Sequence, residues 1–94
     1  MEKAYEITFI VKSSLENEAI DKLIENVKQK ITETGGRVEN IDILGKKTLA
    51  YEIKGEKEGI YVSIRLFISS ALIGEINYYL KVNENILRHL VVQI

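Results

Sequence analysis

Ile60-Tyr61-Val62-Ser63-Ile64-Arg65-Leu66-Phe67-Ile68 is the stretch that decides the architecture. Ile60, Val62, Ile64, Leu66 and Ile68 occupy alternate positions, with Tyr61, Ser63, Arg65 and Phe67 between them. Successive side chains of a strand leave opposite faces, so this pattern predicts a strand with one buried side. Just before it, Gly55-Glu56-Lys57-Glu58-Gly59 is polar and bounded by glycine, which reads as a hairpin loop. Ahead of that loop, Val38 to Lys54 is β-branched and aromatic, and in its second half Leu49, Tyr51 and Ile53 oppose Ala50, Glu52 and Lys54. A long strand is expected there, with Gly45 marking a bulge or bend.

Outward from this hairpin the pattern repeats. Tyr5, Ile7, Phe9 and Val11 alternate with Glu6, Thr8, Ile10 and Lys12, a first strand. Ser13 and Ser14 are expected to cap a helix whose Ile20, Leu23, Ile24, Val27 and Ile31 draw one apolar stripe, with Glu16 and Glu18 at its positive end. Gly35-Gly36 suits its close. Beyond the central strand, Ser69-Ser70 is expected to cap a shorter helix carrying Leu72, Ile76 and Leu80 on one face, supported by Ile73 and Tyr79. Gly74 weakens that helix by roughly 1 kcal/mol relative to alanine, so packing must hold it. Asn83-Glu84-Asn85 is turn chemistry, and Ile86 to Ile94 reads as a last strand. Both of its phases, Ile86/Arg88/Leu90/Val92/Ile94 and Leu87/His89/Val91/Gln93, contain apolar residues, so alternation alone names no core face. The order strand, helix, strand, strand, helix, strand predicts an α+β, ferredoxin-like βαββαβ domain over residues 1–94. Its four-stranded antiparallel sheet would carry two helices on one face, with the second and fourth strands at the edges, where unpaired backbone groups are open to a partner.

Composition narrows the chemistry. The chain has 94 residues, 46% hydrophobic and 29% charged, enough for one ordinary globular core. Without cysteine it has no disulfide framework, zinc knuckle, iron–sulfur site or thiol nucleophile, and its one histidine leaves little for metal chemistry. Thirteen basic against fourteen acidic side chains give a net charge of −1, which argues against gripping nucleic acid by bulk positive charge. The opening Met1-Glu2-Lys3-Ala4 leads into alternation rather than an apolar signal core, and no run of 18 apolar residues occurs, so neither export nor membrane spanning is expected.

Catalysis finds no support. Ile10-Val11-Lys12-Ser13-Ser14 has no glycine to bring backbone amides around a phosphate. His89 has no orienting carboxylate or nucleophile placed beside it, and Glu16, Glu18, Glu25 and Glu33 read as solvated helix charges. Tyr51, Tyr61 and Phe67 are candidates for an RNA-stacking platform, but Glu58-Gly59-Ile60-Tyr61-Val62 supplies only fragments of an RNA-recognition signature, and strand aromatics more often pair across strands. Lys46-Lys47 beside Gly45 is more specific: two cations at a bend of an edge strand can meet phosphate, or can guard that edge against aggregation.

The stretch Gly45-Lys46-Lys47-Thr48-Leu49-Ala50-Tyr51-Glu52-Ile53-Lys54 resembles the signature of the bacterial small-subunit ribosomal protein S-six family. The likeness extends to Tyr5-Glu6-Ile7, Gly36-Arg37-Val38-Glu39, Gly59-Ile60-Tyr61 and the closing Asn85-Ile86-Leu87-Arg88-His89-Leu90-Val91-Val92, in order and across essentially the whole chain. The resemblance implies the same ferredoxin-like fold and a structural role without catalysis or cofactor. It implies a cytoplasmic, ribosome-bound protein that binds the central domain of small-subunit (16S) rRNA as a heterodimer with the eighteenth small-subunit protein. A basic partner would explain why this chain is not itself basic. On the matching positions, Lys3, Lys46, Lys47, Lys81 and Arg88 are the expected RNA contacts, and the edge strand around Asp42, Ile43 and Lys47 is the expected partner surface. Thr48, Asn83 and Leu87 stand where members of that family carry charged or amide side chains, or arginines, so local positive charge is thinner here. Ile43 on an open edge is also expected to favour a weak homodimer when the partner is missing. The alternative is a small regulatory module of the same fold, which would need a pocket of convergent polar groups for a metabolite.

Overall fold

The alternation in the central stretch buries what it predicts. In the computed structural model, which describes residues 1–94, Val62, Ile64, Leu66 and Ile68 are fully buried and face the same side as Tyr5, Ile7, Phe9 and Val11. The elements are β1 (Glu2–Lys12), α1 (Asn17–Glu33), β2 (Arg37–Ile53), β3 (Glu56–Ser69), α2 (Ile73–Val82) and β4 (Ile86–Gln93). They form one sheet in the order β2-β3-β1-β4, with every neighbouring pair antiparallel and β2 and β4 at the edges. Ile20, Leu23, Ile24, Val27 and Ile31 of α1, together with Ile76 and Leu80 of α2, close the core against one sheet face. Each fully buried aliphatic or aromatic side chain contributes about 1.5–3 kcal/mol, so packing rather than capping carries both helices. No helix is long and apolar enough to cross a membrane.

The serine caps are a correction to the sequence reading. Helix α1 starts after Glu16, without a side-chain cap bond, and Ser13 Oγ donates to Glu58 O at 3.4 Å instead. Ser69 ends β3 and its Oγ accepts from Ala71 N at 3.2 Å, so it shapes the turn before α2 rather than capping the helix. In both places the chain spends an extra few residues turning, and Leu15 and Leu72 pack on the core before the first helical turn forms. Asn83 behaves as expected, its Oδ1 accepting from Asn85 N at 3.0 Å.

The β2–β3 connection is tighter than its polarity suggests. Lys54 (φ 51°) and Gly55 (φ 81°) make a two-residue turn with both residues left-handed, and Glu56 already pairs with Ile53. The polar residues Glu56 to Glu58 therefore belong to an exposed arm of the ladder, not to a loop. Gly45 lies where the β2–β3 register shifts, the bulge its position predicts. Gly59 is buried within β3, opposite Lys12 on one side and Lys47 on the other. A Cβ there would come within 2.2 Å of Ile10 Cγ2, with Leu49 Cδ2 at 3.6 Å. That bare backbone lets the end of β2 bend over the sheet face away from the helices, where Leu49 joins Ile10 and Leu87, with Ile53 and Tyr61 against them. Lys54 Nζ ties the tip down by donating to Ile86 O at 3.5 Å.

A register shift between Ile10 and Val11 resolves the ambiguous last strand. Val11 pairs with Ile86 but Ile10 pairs with Arg88, leaving Leu87 as the extra residue. Ile86 therefore enters the main core while Leu87 enters the small cluster on the opposite face. From there alternation is regular: His89 and Val91 face the helices, and Arg88, Leu90 and Val92 share the open face with Ile10, Thr8 and Glu6.

Candidate nucleic-acid and protein interface

Because both helices cover the same face, the other face of the sheet is open to solvent except where the β2 tip folds across Ile10 and Leu87, and its side chains are set by register. Arg37 stacks over Phe67, with its guanidinium carbon 4.5 Å from the ring centre, and also reaches Glu2 at 3.4 Å. Arg65 meets Glu6 at 3.5 Å. These exposed pairs contribute about 0–1 kcal/mol each, but they neutralise two of the cations on this face. Lys47 and Arg88 have no acidic partner. The Lys47 ammonium lies 5.3 Å from the Tyr61 ring centre, and the Arg88 guanidinium donates to the Tyr51 hydroxyl. From Arg88 to Tyr61 runs an open depression of about 330 Å³ lined by Thr8, Ile10, Tyr61, Arg88, His89 and Leu90. Leu90 and Val92 continue it to the β4 edge, 62% and 47% exposed.

The expected RNA contacts do not converge on one spot. Lys46 and Lys47 leave opposite faces of β2, as adjacent strand residues must. Lys46 pairs with Glu58 at 3.8 Å while Lys47 covers Tyr61. Lys3 pairs with Ile68 in the register, on the helix-side phase of β1, and Lys81 sits exposed in the last turn of α2. Of the five residues, the structure brings Lys47 and Arg88 to the open face. The partner residues also divide. Asp42 stands opposite Ser63 on the open face, where its carboxylate accepts from Asn40 Nδ2 at 3.1 Å, whereas Ile43 stands opposite Val62 and is exposed beyond the helix layer.

Two aromatic rings weighed as a stacking platform already carry cations, and the third, Tyr51, is bound through its hydroxyl to Arg88. They orient positive charge instead of offering bare faces to bases. Reasoning from sequence passed over Leu90 and Val92, whose place on the open face becomes identifiable only once the β4 bulge sets their phase. His89 lies on the helix side, its Nε2 2.9 Å from Asn77 Oδ1. Burial, and behind it the charge of Lys81, holds its pKa below the ordinary 6.5. No cluster of three or more histidine or carboxylate side chains is placed to hold a metal ion.

The sequence profile of the family described as ribosomal protein S6 matches residues 4–93. The chain belongs to the ribosomal protein S6 family. Small ribosomal subunit protein bS6 of Clostridium acetobutylicum is 40% identical over 90 residues, spanning 96% of this chain and 95% of the relative. The crystal structure of 30S ribosomal protein S6 from Thermotoga maritima superimposes with a TM-score of 0.93 at 28% identity, over 100% of this chain and 89% of that one. The family resemblance carried by Gly45 to Lys54 and the ferredoxin-like fold are both borne out. The fold by itself would not have decided the matter. The CheA P2 domain of Thermotoga maritima, solved in complex with a response regulator, superimposes with a TM-score of 0.65 over 100% of both chains at 19% identity, a likeness of fold alone.

Proposed function

We propose that this S6-family chain is a structural, non-catalytic component of the small ribosomal subunit in the cytoplasm, binding central-domain 16S rRNA jointly with the eighteenth small-subunit protein. The observation that carries this reading is the open sheet face, where exposed apolar Leu90 and Val92 share a surface with two cations, Arg88 next to them and Lys47 across the sheet, that no acid neutralises. An apolar strip suits a protein partner, and cations at its margin suit phosphate brought in alongside. Lys3, Lys46 and Lys81 serve as peripheral phosphate contacts, and the β2 edge at Asp42 and Ile43 extends the partner surface around Lys47. A net charge of −1 fits joint binding, since few phosphates are neutralised by this chain alone.

The metabolite-binding alternative draws no support from the surface, whose depressions are open and mixed in lining. The test is a titration of a central-domain rRNA fragment at several salt concentrations, with and without the eighteenth protein. Binding that requires the partner and weakens with salt is the expected result. Equal binding with and without the partner, or none with either, overturns the proposal.

A further inference from the structure

The two edges of the sheet differ in how well they are protected. Along β2 the ladder is broken by register shifts at Val38/Asn40 and Ile43/Gly45, and the strand carries Glu39, Asp42, Lys46, Lys47 and Glu52. Bulges and charges of this kind keep an edge from pairing with another chain. The β4 edge has neither beyond Arg88: from His89 to Gln93 its register with β1 is unbroken and it bears no formal charge at neutral pH.

Its free hydrogen-bonding groups can be assigned. Ile94 N donates to Ala4 O at 2.9 Å, so in an antiparallel ladder the even-numbered residues Leu90 and Val92 also direct their backbone groups at β1. His89, Val91 and Gln93 therefore turn their N–H and C=O groups outward, unpaired. The geometry points to an occupant for this edge: the same strand of a second copy, in antiparallel pairing about a two-fold axis at Val91. Val91 then bonds the partner's Val91, and His89 bonds the partner's Gln93, so every outward group finds a partner. On the open face Leu90 meets the partner's Val92, and the exposed apolar row of one copy continues into that of the other. The two Arg88 side chains fall about 20 Å apart at the rise of a strand. That exceeds the screening length of about 8 Å at physiological salt, so like charge does not oppose the contact. Leu90, Val92 and Ile94, at 62%, 47% and 60% exposed, are only three side chains, too few to supply the roughly 800 Å² per partner of a standard interface. The dimer is accordingly a concentration-dependent one.

The absence of native cysteine makes the register directly testable. Leu90→Cys and Val92→Cys chains are prepared separately, then mixed at high concentration under oxidising conditions, with Ile43→Cys as the β2-edge control. The expected result is a disulfide-linked heterodimer of the Leu90→Cys and Val92→Cys chains, formed several-fold faster than either chain links to itself, alongside sedimentation of the unmodified chain that shifts from monomer to dimer with concentration. A Leu90→Lys chain that keeps its thermal transition is expected to remain monomeric. Monomer at all concentrations, linkage through Ile43→Cys alone, or equal linkage in all mixtures overturns the proposal.

Discussion

Replacing Gly59 with alanine tests whether the bend of β2 over the open face depends on a bare backbone in β3. The added Cβ would lie 2.2 Å from Ile10 Cγ2, with Val11 O at 3.5 Å and Leu49 Cδ2 at 3.6 Å around it. Carbon atoms pack at about 3.5–4.0 Å, so Ile10 must retreat by roughly 1.5 Å in a direction already occupied. Overpacking of this sort costs about 1–3 kcal/mol. Gly59 has no left-handed φ, so alanine recovers about 0.4–1 kcal/mol by restricting the unfolded chain. The net expectation is a loss of about 1–2 kcal/mol, or roughly 5–15 °C in Tm for a domain of this size. Urea unfolding of Gly59→Ala, Ile10→Ala and the double variant separates this clash from a general weakening. Ile10→Ala alone should cost about 2 kcal/mol by cavity formation. Since it removes the methyl that the new Cβ strikes, the double variant should be no less stable than Ile10→Ala by itself. A Gly59→Ala chain within 0.5 kcal/mol of the parent, or costs that simply add, would refute the reasoning.

Other expectations follow from the same geometry. Lys47→Ala should weaken assembly with rRNA and partner and lower the salt slope by about one, whereas Lys46→Ala, on the other face with Glu58, should change it by less than half as much; equal slopes for the two variants would argue against the open face. Neither should shift stability by more than about 0.5 kcal/mol in chemical denaturation, because both side chains are exposed. His89 holds its proton less readily when folded than its ordinary 6.5 allows, because burial first, and Lys81 second, disfavour the charged form. The unfolded chain thus takes up that proton first, so stability present above pH 6.5 is lost as pH falls through 6.5 toward the lower folded value. Tm measured across that window should decline less in His89→Gln, and an identical decline would contradict the assignment. Gly55→Ala, which forces a second non-glycine residue into the left-handed region beside Lys54, should cost about 1 kcal/mol or more by urea unfolding.

Strand and helix positions were legible because one buried face imposes a period. Tyr5 to Val11, Ile60 to Ile68 and the α1 stripe were all readable from spacing alone, and their burial confirms it. What spacing could not show are features made by contact between distant segments. Leu87 changes face because Val11 and Ile10 pair with residues two apart in β4, which no local pattern encodes. The serines near both helices signalled turns correctly but not the residue at which each helix begins, since Leu15 and Leu72, which precede the helices in the chain, are already packed on the core. For the candidate site, sequence supplied the residue types and the family but not their faces. Lys46-Lys47 reads as one basic patch in the chain and becomes two surfaces in the strand, and Arg88 joins Tyr51 only because the β2 tip bends across to β4.

The central claim is that assembly uses the open sheet face, and reconstitution with the central-domain rRNA fragment and the eighteenth protein tests it most directly. Leu90→Asp places a charge in the exposed strip between Arg88 and Val92, while Lys22→Glu alters an exposed charge on α1, on the covered side. With both variants shown to be folded by their thermal transitions, Leu90→Asp should fail to enter the complex at concentrations where the parent and Lys22→Glu saturate it. Full incorporation of Leu90→Asp, or loss with Lys22→Glu instead, would contradict the account.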